Sequence, residues 1–362
     1  MGEMMTSVWR VDAGHPKPEE LQEAAQRLRS GETIAFPTET VYGLGADARN
    51  TEAVAAVFAA KGRPSDNPLI VHIADRSLLA ELTAPPAEAV CRLMDAFWPG
   101  PLTIVLPALD GVLSPLVTAG LRTVGIRMPD HPVARALIAA AGCPVAAPSA
   151  NRSGRPSPTE AAHVLSDLAG RIAGVVDGGP AGVGLESTVV ELRGDTLYVL
   201  RPGGITGAEL KRALPAGVRL QEAVEAPTAT ETPRAPGMKY AHYAPRGSLT
   251  IVLGADRSVV LARMSRELEE ARARGERTGA LLFGAADGLA AAGPLAAAAD
   301  HIAVCGGVGE LSAAARELYG ALRSFDDAEA SFIVAEGCSE DGIGAAIMNR
   351  LRKAASGQVI TS

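Results

Sequence analysis

The sequence predicts a two-domain α/β protein, and three observations carry that expectation. The chain has 362 residues, more than one ordinary hydrophobic core organises. Through its first two hundred residues, strand patterns outnumber helix patterns and the loops between them are short. That combination implies a mixed twisted sheet with helices packed on it. Beyond residue 248 strands alternate with helices, the pattern of a small parallel sheet. Residues 213–247 lie between the two, rich in Pro, Thr and Glu without a sustained apolar period, and read as a linker. The expected boundaries are therefore 1–212, 213–247 and 248–362.

The elements follow from local pattern. KPEELQEAAQRLRS (17–30) is an amphipathic helix stopped at Gly31, and TIAF a short buried strand ended by Pro37. TEAVAAVFAAK (51–61) has helical period and PLIVHI (68–73) reads as a strand. RSLLAEL and AEAVCRLMDAF are helices, LTIVLPAL (102–109) and TVGIRMP (123–129) strands. HPVARALIAAAG is a helix closed by Gly142. PVAAPSA is a buried strand running into a polar turn, PTEAAHVLSDL a helix with Pro at its start, and AGVVDGG a strand. STVVELRGDTLYVLRPG gives two strands around a Gly-Asp turn, a hairpin. After the linker come strands SLTIVLG, GALLFG, HIAVCGG and SFIVAEG, with helices at 256–274, in GELSAAARELYGALRSFD and in IGAAIMNRLRKAAS.

Composition narrows the function classes. At 47% hydrophobic and 21% charged residues the chain has ample apolar surface to bury. A net charge of −7 provides no overall basic field to recruit nucleic acid or an anionic membrane. The four cysteines (Cys91, Cys143, Cys305, Cys338) show no C-x-x-C pairing, which argues against a zinc site or disulfide framework and fits a reducing compartment. MGEMMTSVWRVD lacks the apolar run of a signal peptide, and the Ala-rich stretch 284–299 is too broken to span a bilayer. The expected location is the cytoplasm, with no membrane partner.

Five of the 34 basic residues are lysine, so a lysine inside a Pro- and Gly-dense segment stands out. Lys61 and Arg63, two apart with Gly62 between, suit one polyphosphate: a compact point charge beside a planar fork. The alternative is a helix C-terminus, where cations favour the dipole and Gly62 caps. PVAAPSANRSGRPSP (144–158) carries Ser149, Asn151, Ser153 and Ser157 on a stiff loop after a strand, where α/β sheets collect ligands. His72 near the end of its strand reads as either a satisfied core residue or a ligand. Arg127 in mid-strand needs an anionic partner, a protein carboxylate or a substrate's. FPTETVYGLGAD (36–47) follows its strand with the polar triplet Thr38-Glu39-Thr40; Gly43-x-Gly45 lacks the third glycine of a dinucleotide fingerprint. GGVGE (306–310) reads as a close-packed turn. Ser187 and Thr188 open a strand, and Lys239, Tyr240, His242 and Tyr243 gather in the linker, a set suited to covering a ligand.

Together these stretches resemble the YrdC-like family in its two-domain form. FPTETVYGLG, KGRPSDNPL, FWPGPLT, VGIRMPDH, PSANRSG and ESTVV stand in the family's order, followed by RPGGIT, PGMKYAHYAP and, near the C-terminus, GALRSFD. The resemblance implies a YrdC-like twisted sheet around a concave active-site cavity, with a Rossmann-like C-terminal domain. It implies that L-threonine, bicarbonate or CO2 and ATP give L-threonylcarbamoyladenylate and pyrophosphate, with Mg²⁺ accompanying ATP. The product would feed a separate transferase that modifies the tRNA adenosine beside the anticodon. Lys61 and Arg63 would carry the chemistry. An ATP site is implied at Lys61, Arg63, Asn67, Thr123, Ser149, Asn151, Ser157 and Arg201, covered by Tyr240 and His242 from the linker. A threonine site is implied at Thr40, His72, Arg127, the backbone of Ala147, and Ser187. Position 235 is alanine where the family more often has serine. Three alternatives stand beside this reading. A carbamoyltransferase that forms a carbamoyl-adenylate would bring zinc-finger cysteine pairs, and a double-stranded RNA-binding module a basic surface; a scaffold would not need the K-x-R and S-x-N groups.

Overall fold

The structure, a computed structural model, describes residues 5–222, 233–236, 242–284, 293–306 and 310–362. The chain divides into two compact units. The first is drawn from Met1–Ser153, Ser157–Gly182 and Glu186–Lys239, the second from Gly154–Pro156, Val183–Leu185 and Tyr240–Ser362.

In the first unit the described residues form strands β1 (Ser7–Arg10), β2 (Ile34–Phe36), β3 (Gly43–Asp47), β4 (Ile70–His72), β5 (Leu102–Pro107), β6 (Thr123–Arg127), β7 (Val145–Ala146), β8 (Gly174–Asp177), β9 (Thr188–Arg193), β10 (Thr196–Arg201) and β11 (Arg219–Gln221). They make one sheet in the order β1-β8-β2-β3-β7-β4-β6-β5-β9-β10-β11. Pairing is mixed: β4 runs parallel to β6 and antiparallel to β7, while β6 is antiparallel to β5. β9 and β10 form the expected antiparallel hairpin.

Side-chain alternation along β6 sorts the two faces of this sheet. Val124 and Ile126 enter a core with Val71, Ile104 and Leu106 and with Phe58, Leu93 and Met94 from helices Thr51–Lys61 and Glu88–Phe97. Thr123, Gly125 and Arg127 take the opposite face. Helix Thr51–Lys61 begins where the Asn50 side chain accepts the Ala53 N–H at 3.0 Å and ends at Gly62 in the left-handed conformation, φ 62°. Helices Pro18–Arg29 and Pro132–Ala141 bury Leu21, Leu28, Val133 and Leu137 together with Ile34, Phe36 and Val145.

Two expectations change here. Residues 219–221, placed in the linker by composition, pair in parallel with β10 as an edge strand. Ala235 is 1% exposed and packs with Val105, Val189 and Leu200, so residues 233–236 are seated on the first unit's sheet. Composition averages over such a window, whereas one methyl group in an apolar recess decides where it docks.

The second unit has β12 (Ser248–Leu253), β13 (Thr278–Phe283), β14 (His301–Cys305), β15 (Phe332–Glu336) and β16 (Val359–Thr361), all in parallel pairs, in the order β14-β13-β15-β12-β16. Crossover helices 257–273, 311–327 and 344–354 meet the expectation of a parallel α/β unit. Its core includes Val252, Met264, Leu268, Leu282 and Val334. No helix among the described residues is long and apolar enough to cross a membrane.

Candidate functional site

The site lies in the first unit, on the face of β4, β6 and β5 turned away from the Val71–Ile126 core. His72 and Arg127 are Cα partners in the parallel β4–β6 pair, so their side chains emerge together. Along β6, Thr123 and Arg127 share that face with only Gly125 between, four residues or about 13 Å apart at ~3.3 Å per residue. A Cβ at Gly125 would meet Thr103 Cγ2 at 3.1 Å and Ile70 Cγ1 at 3.6 Å, so neighbouring side chains already close over the glycine between the two polar residues.

Arg127 is 4% exposed and its guanidinium is spread over three partners. Nε donates to the Gly100 carbonyl at 3.3 Å, one terminal nitrogen donates to Thr40 Oγ1 at 2.9 Å, and the other lies 2.6 Å from Glu39 Oε2. The anionic partner demanded by a mid-strand arginine is thus a protein carboxylate in this structure. Thr40 is fully buried and also bonds Thr38 Oγ1 at 2.8 Å. His72, 4% exposed, sets its ring edge-on to Phe36 at 6.2 Å. Burial, aided by the Arg127 charge, depresses its pKa to about 3, so the imidazole is neutral. The Ala147 N–H donates to the Ile70 carbonyl at 2.9 Å. Ser187 Oγ meets Thr103 Oγ1 at 2.8 Å and receives Arg201 Nη2 at 3.1 Å.

The loop after β7 is pinned from two sides. Leu44 and Ala150 exchange backbone hydrogen bonds with the neighbouring segments at 2.8 Å, and Ser153 N–H donates to the Lys61 carbonyl at 2.8 Å. Lys61 is 3% exposed; its ammonium donates to the carbonyls of Ser149 and Asn151. Sequence posed helix cap and ligand cation as alternatives. Gly62 does cap the helix, and the ammonium ties that helix end to the S-x-N loop. Arg63 bends back to the carbonyls of Asn67 and Pro68 at 3.4 and 3.3 Å. Ser157, fully buried, donates to Glu186 at 2.6 Å, and Asn151 Nδ2 donates to the Arg152 carbonyl at 2.8 Å. Arg201 spends its fork on Ser187, through the carbonyl at 2.9 Å as well as the hydroxyl, and on the Pro236 carbonyl at 3.3 Å.

Several buried polar atoms in this region have no partner among the described residues: both amide atoms of Asn67, Nδ1 of His72, Nδ1 of His131 and Oε1 of Glu39. Asn67 and His72 were expected from the sequence; Glu39 and His131 were not. The signal for Glu39 lay in the polar triplet after β2, and for His131 in the Asp-His-Pro that opens helix Pro132–Ala141. Burial lowers the pKa of His131 against the opposing pull of Glu39, which places that carboxylate's field on the ring. Tyr240 lies outside the described residues. His242 belongs to the second unit, its ring 5.6 Å from that of Tyr243. Tyr243 is 5% exposed and stacks on Tyr319 at 5.4 Å, a core position.

A mixed sheet whose one face carries this buried polar row, followed by a parallel α/β unit, defines a two-domain protein of the YrdC-like fold. Residues 26–203 match the Sua5/YciO/YrdC family model described as "Telomere recombination", and residues 205–356 the model described as "Threonylcarbamoyl-AMP synthase, C-terminal domain". The threonylcarbamoyl-AMP synthase of Bacillus subtilis is 49% identical over 99% of this chain and 100% of its own length. That of Schizosaccharomyces pombe is 41% identical over 93% of this chain and 88% of its own. The crystal structure of Pyrococcus abyssi Sua5 complexed with L-threonine superposes with a TM-score of 0.89 at 40% identity, covering 99% of this chain and 100% of that one. The chain belongs to the threonylcarbamoyl-AMP synthase family.

Proposed function

We propose that the polar row on β4, β6 and β5 binds L-threonine beside ATP, and that the protein joins them through a carbamate to make L-threonylcarbamoyl-AMP. The supporting observation is the set of unpartnered buried atoms at Asn67 and His72. A buried donor or acceptor left alone costs about 1–3 kcal/mol, so a fold that keeps several reserves them for a ligand.

Threonine's carboxylate belongs at Arg127, whose fork has donors beyond those given to Gly100, Thr40 and Glu39. Thr40, neutral His72 and Ser187 surround the place for the side-chain hydroxyl. Thr123, Asn67, Ser149, Asn151 and Ser157 line the nucleotide end, with the Lys61 and Arg63 charges beside the phosphates. The amine loses a proton and adds CO2 or bicarbonate; the resulting carbamate oxygen attacks the α-phosphorus and pyrophosphate leaves. Both partners are anions, so fixed positive charge lowers their repulsion, and alignment of the two substrates along β6 supplies much of the acceleration. Mg²⁺ would arrive on the ATP phosphates, where it would neutralise charge and keep mostly phosphate and water ligands. The adenylate would then pass to a transferase acting on tRNA.

The test is pyrophosphate release from ATP. It should require both threonine and bicarbonate, and valine should support far less, because a site built for a hydroxyl leaves polar groups unpaired around its isostere. Release that ignores threonine, or equal rates with valine, would overturn the reading.

A further inference from the structure

We propose that Glu39 is a catalytic residue of this site, receiving the substrate ammonium and taking its proton before carbamate formation. The inference rests on the threonine reading above and adds the group that reading lacks, a partner for the amine.

Glu39 follows β2 in the turn that also places Thr40. Its side chain is 12% exposed, and Oε1 has no hydrogen-bond partner among the described residues. Oε2 pairs with Arg127 at 2.6 Å. A carboxylate buried with so few donors is costly to hold, and orienting one arginine that already grips Gly100 and Thr40 occupies Oε2 and does not require Oε1 to stay open.

An α-amino acid is a zwitterion whose charges sit side by side. Arg127 and Glu39 present the opposite charges side by side, at hydrogen-bonding separation. Threonine laid along the pair gives its carboxylate to Arg127 and its ammonium to Glu39, so each protein charge gains a second counter-charge. The proton step balances within the site. One proton leaves the ammonium nitrogen for a Glu39 oxygen, giving a neutral amine and a carboxylic acid. The nitrogen lone pair then forms the N–C bond to CO2, and the second N–H proton released with the carbamate leaves to solvent. With bicarbonate, that proton leaves as part of water.

The experiment separates this role from support of Arg127. The full-length chain is titrated calorimetrically with L-threonine and with (R)-3-hydroxybutanoate, which is threonine without its amine. Wild type should prefer threonine by roughly 10- to 100-fold, the scale of one charge-assisted hydrogen bond. Glu39→Gln should weaken threonine by a similar factor, leave the hydroxy acid within about threefold, and lower kcat by about 100-fold or more. Should Glu39→Gln fail to give a cooperative melt, Glu39→Asp keeps the charge and should keep a reduced preference for threonine. Equal weakening of both ligands in either variant would make Glu39 a support for Arg127 and overturn the inference. Wild-type protein that binds no threonine would instead overturn the reading of the site.

Discussion

His72 on β4 and Arg127 on β6 are Cα partners, and their side chains leave the sheet on the same face. The adjacency has an electrostatic consequence. A buried imidazole beside a fixed guanidinium resists protonation, and His72 titrates only near pH 3. It is therefore a neutral ring across the physiological range. An unfolded histidine takes up its proton near pH 6.5, so between about 6.5 and 3 the unfolded chain holds one proton more than the fold. The stability contribution of neutral His72 is complete above that window and drains away as pH falls through it. His72→Gln should reduce the acid slope of stability by up to about 1.4 kcal/mol per pH unit. Denaturant titrations of both proteins at pH 7, 5.5 and 4.5 measure it; parallel slopes would refute it.

Lys61 ties the end of helix Thr51–Lys61 to the loop after β7. Its ammonium holds the carbonyls of Ser149 and Asn151 while its own carbonyl accepts from Ser153. Lys61→Met keeps the stem and removes the charge, leaving two carbonyls without a donor. The expected cost is about 1–3 kcal/mol of stability, together with a raised KM for ATP as the S-x-N loop loosens. Unfolding curves and ATP kinetics on the same preparation check both. A variant with unchanged stability would mean that this tie carries no weight.

Much of the site was legible because a strand's period of two survives translation into structure. In Thr123-Val-Gly-Ile-Arg127 the two apolar residues go to the core, and the other three make one wall of the site. The triplet Thr38-Glu39-Thr40 was visible as polar, but its partner Arg127 is 88 positions from Glu39, and no local pattern shows such a meeting. β3 was missed because Gly-Leu-Gly has poor strand propensity. Packing overrides that preference: a Cβ at Gly45 would stand 2.8 Å from both Phe36 and Val145, so only glycine fits there. β1, β11 and β16 are short edge strands, three or four residues each, below what periodicity resolves.

Arg201 illustrates a residue whose protein contacts no local pattern shows. It is a buried cation in the site region, but its fork closes on the carbonyl and hydroxyl of Ser187. Arg201→Lys loses the planar fork and should raise KM for threonine several-fold more than KM for ATP, because Ser187 sits at the amino-acid end. Adding Ser187→Ala to Arg201→Lys should cost less than the sum of the single changes, since the two share one interaction. A larger effect on ATP than on threonine would return Arg201 to direct nucleotide contact.

Gly125 offers the most direct test of the face that Thr123 and Arg127 share on β6. Its absent side chain separates Thr123 from Arg127, and a single Cβ would have Thr103 Cγ2 at 3.1 Å and Ile70 Cγ1 at 3.6 Å. Those neighbours are methyl and methylene groups that give by a few tenths of an ångström, so Gly125→Ala should fold, with strand propensity partly offsetting the crowding. Activity should fall moderately, because one methyl narrows the path the carbamate takes toward the α-phosphate. Gly125→Val crowds that face further, against Thr103 and Ile70. Its branched side chain suits a strand, so the fold should survive with a loss of about 1–3 kcal/mol from overpacking, while the two substrates lose their line of approach. Threonine and ATP should then each bind alone with near wild-type affinity, yet turnover should drop by at least about 100-fold, the scale that misalignment of about 1 Å produces. Calorimetry for each ligand and pyrophosphate release for turnover distinguish a crowded face from a lost site. If Gly125→Val turns over normally, threonine and ATP do not meet along this strand.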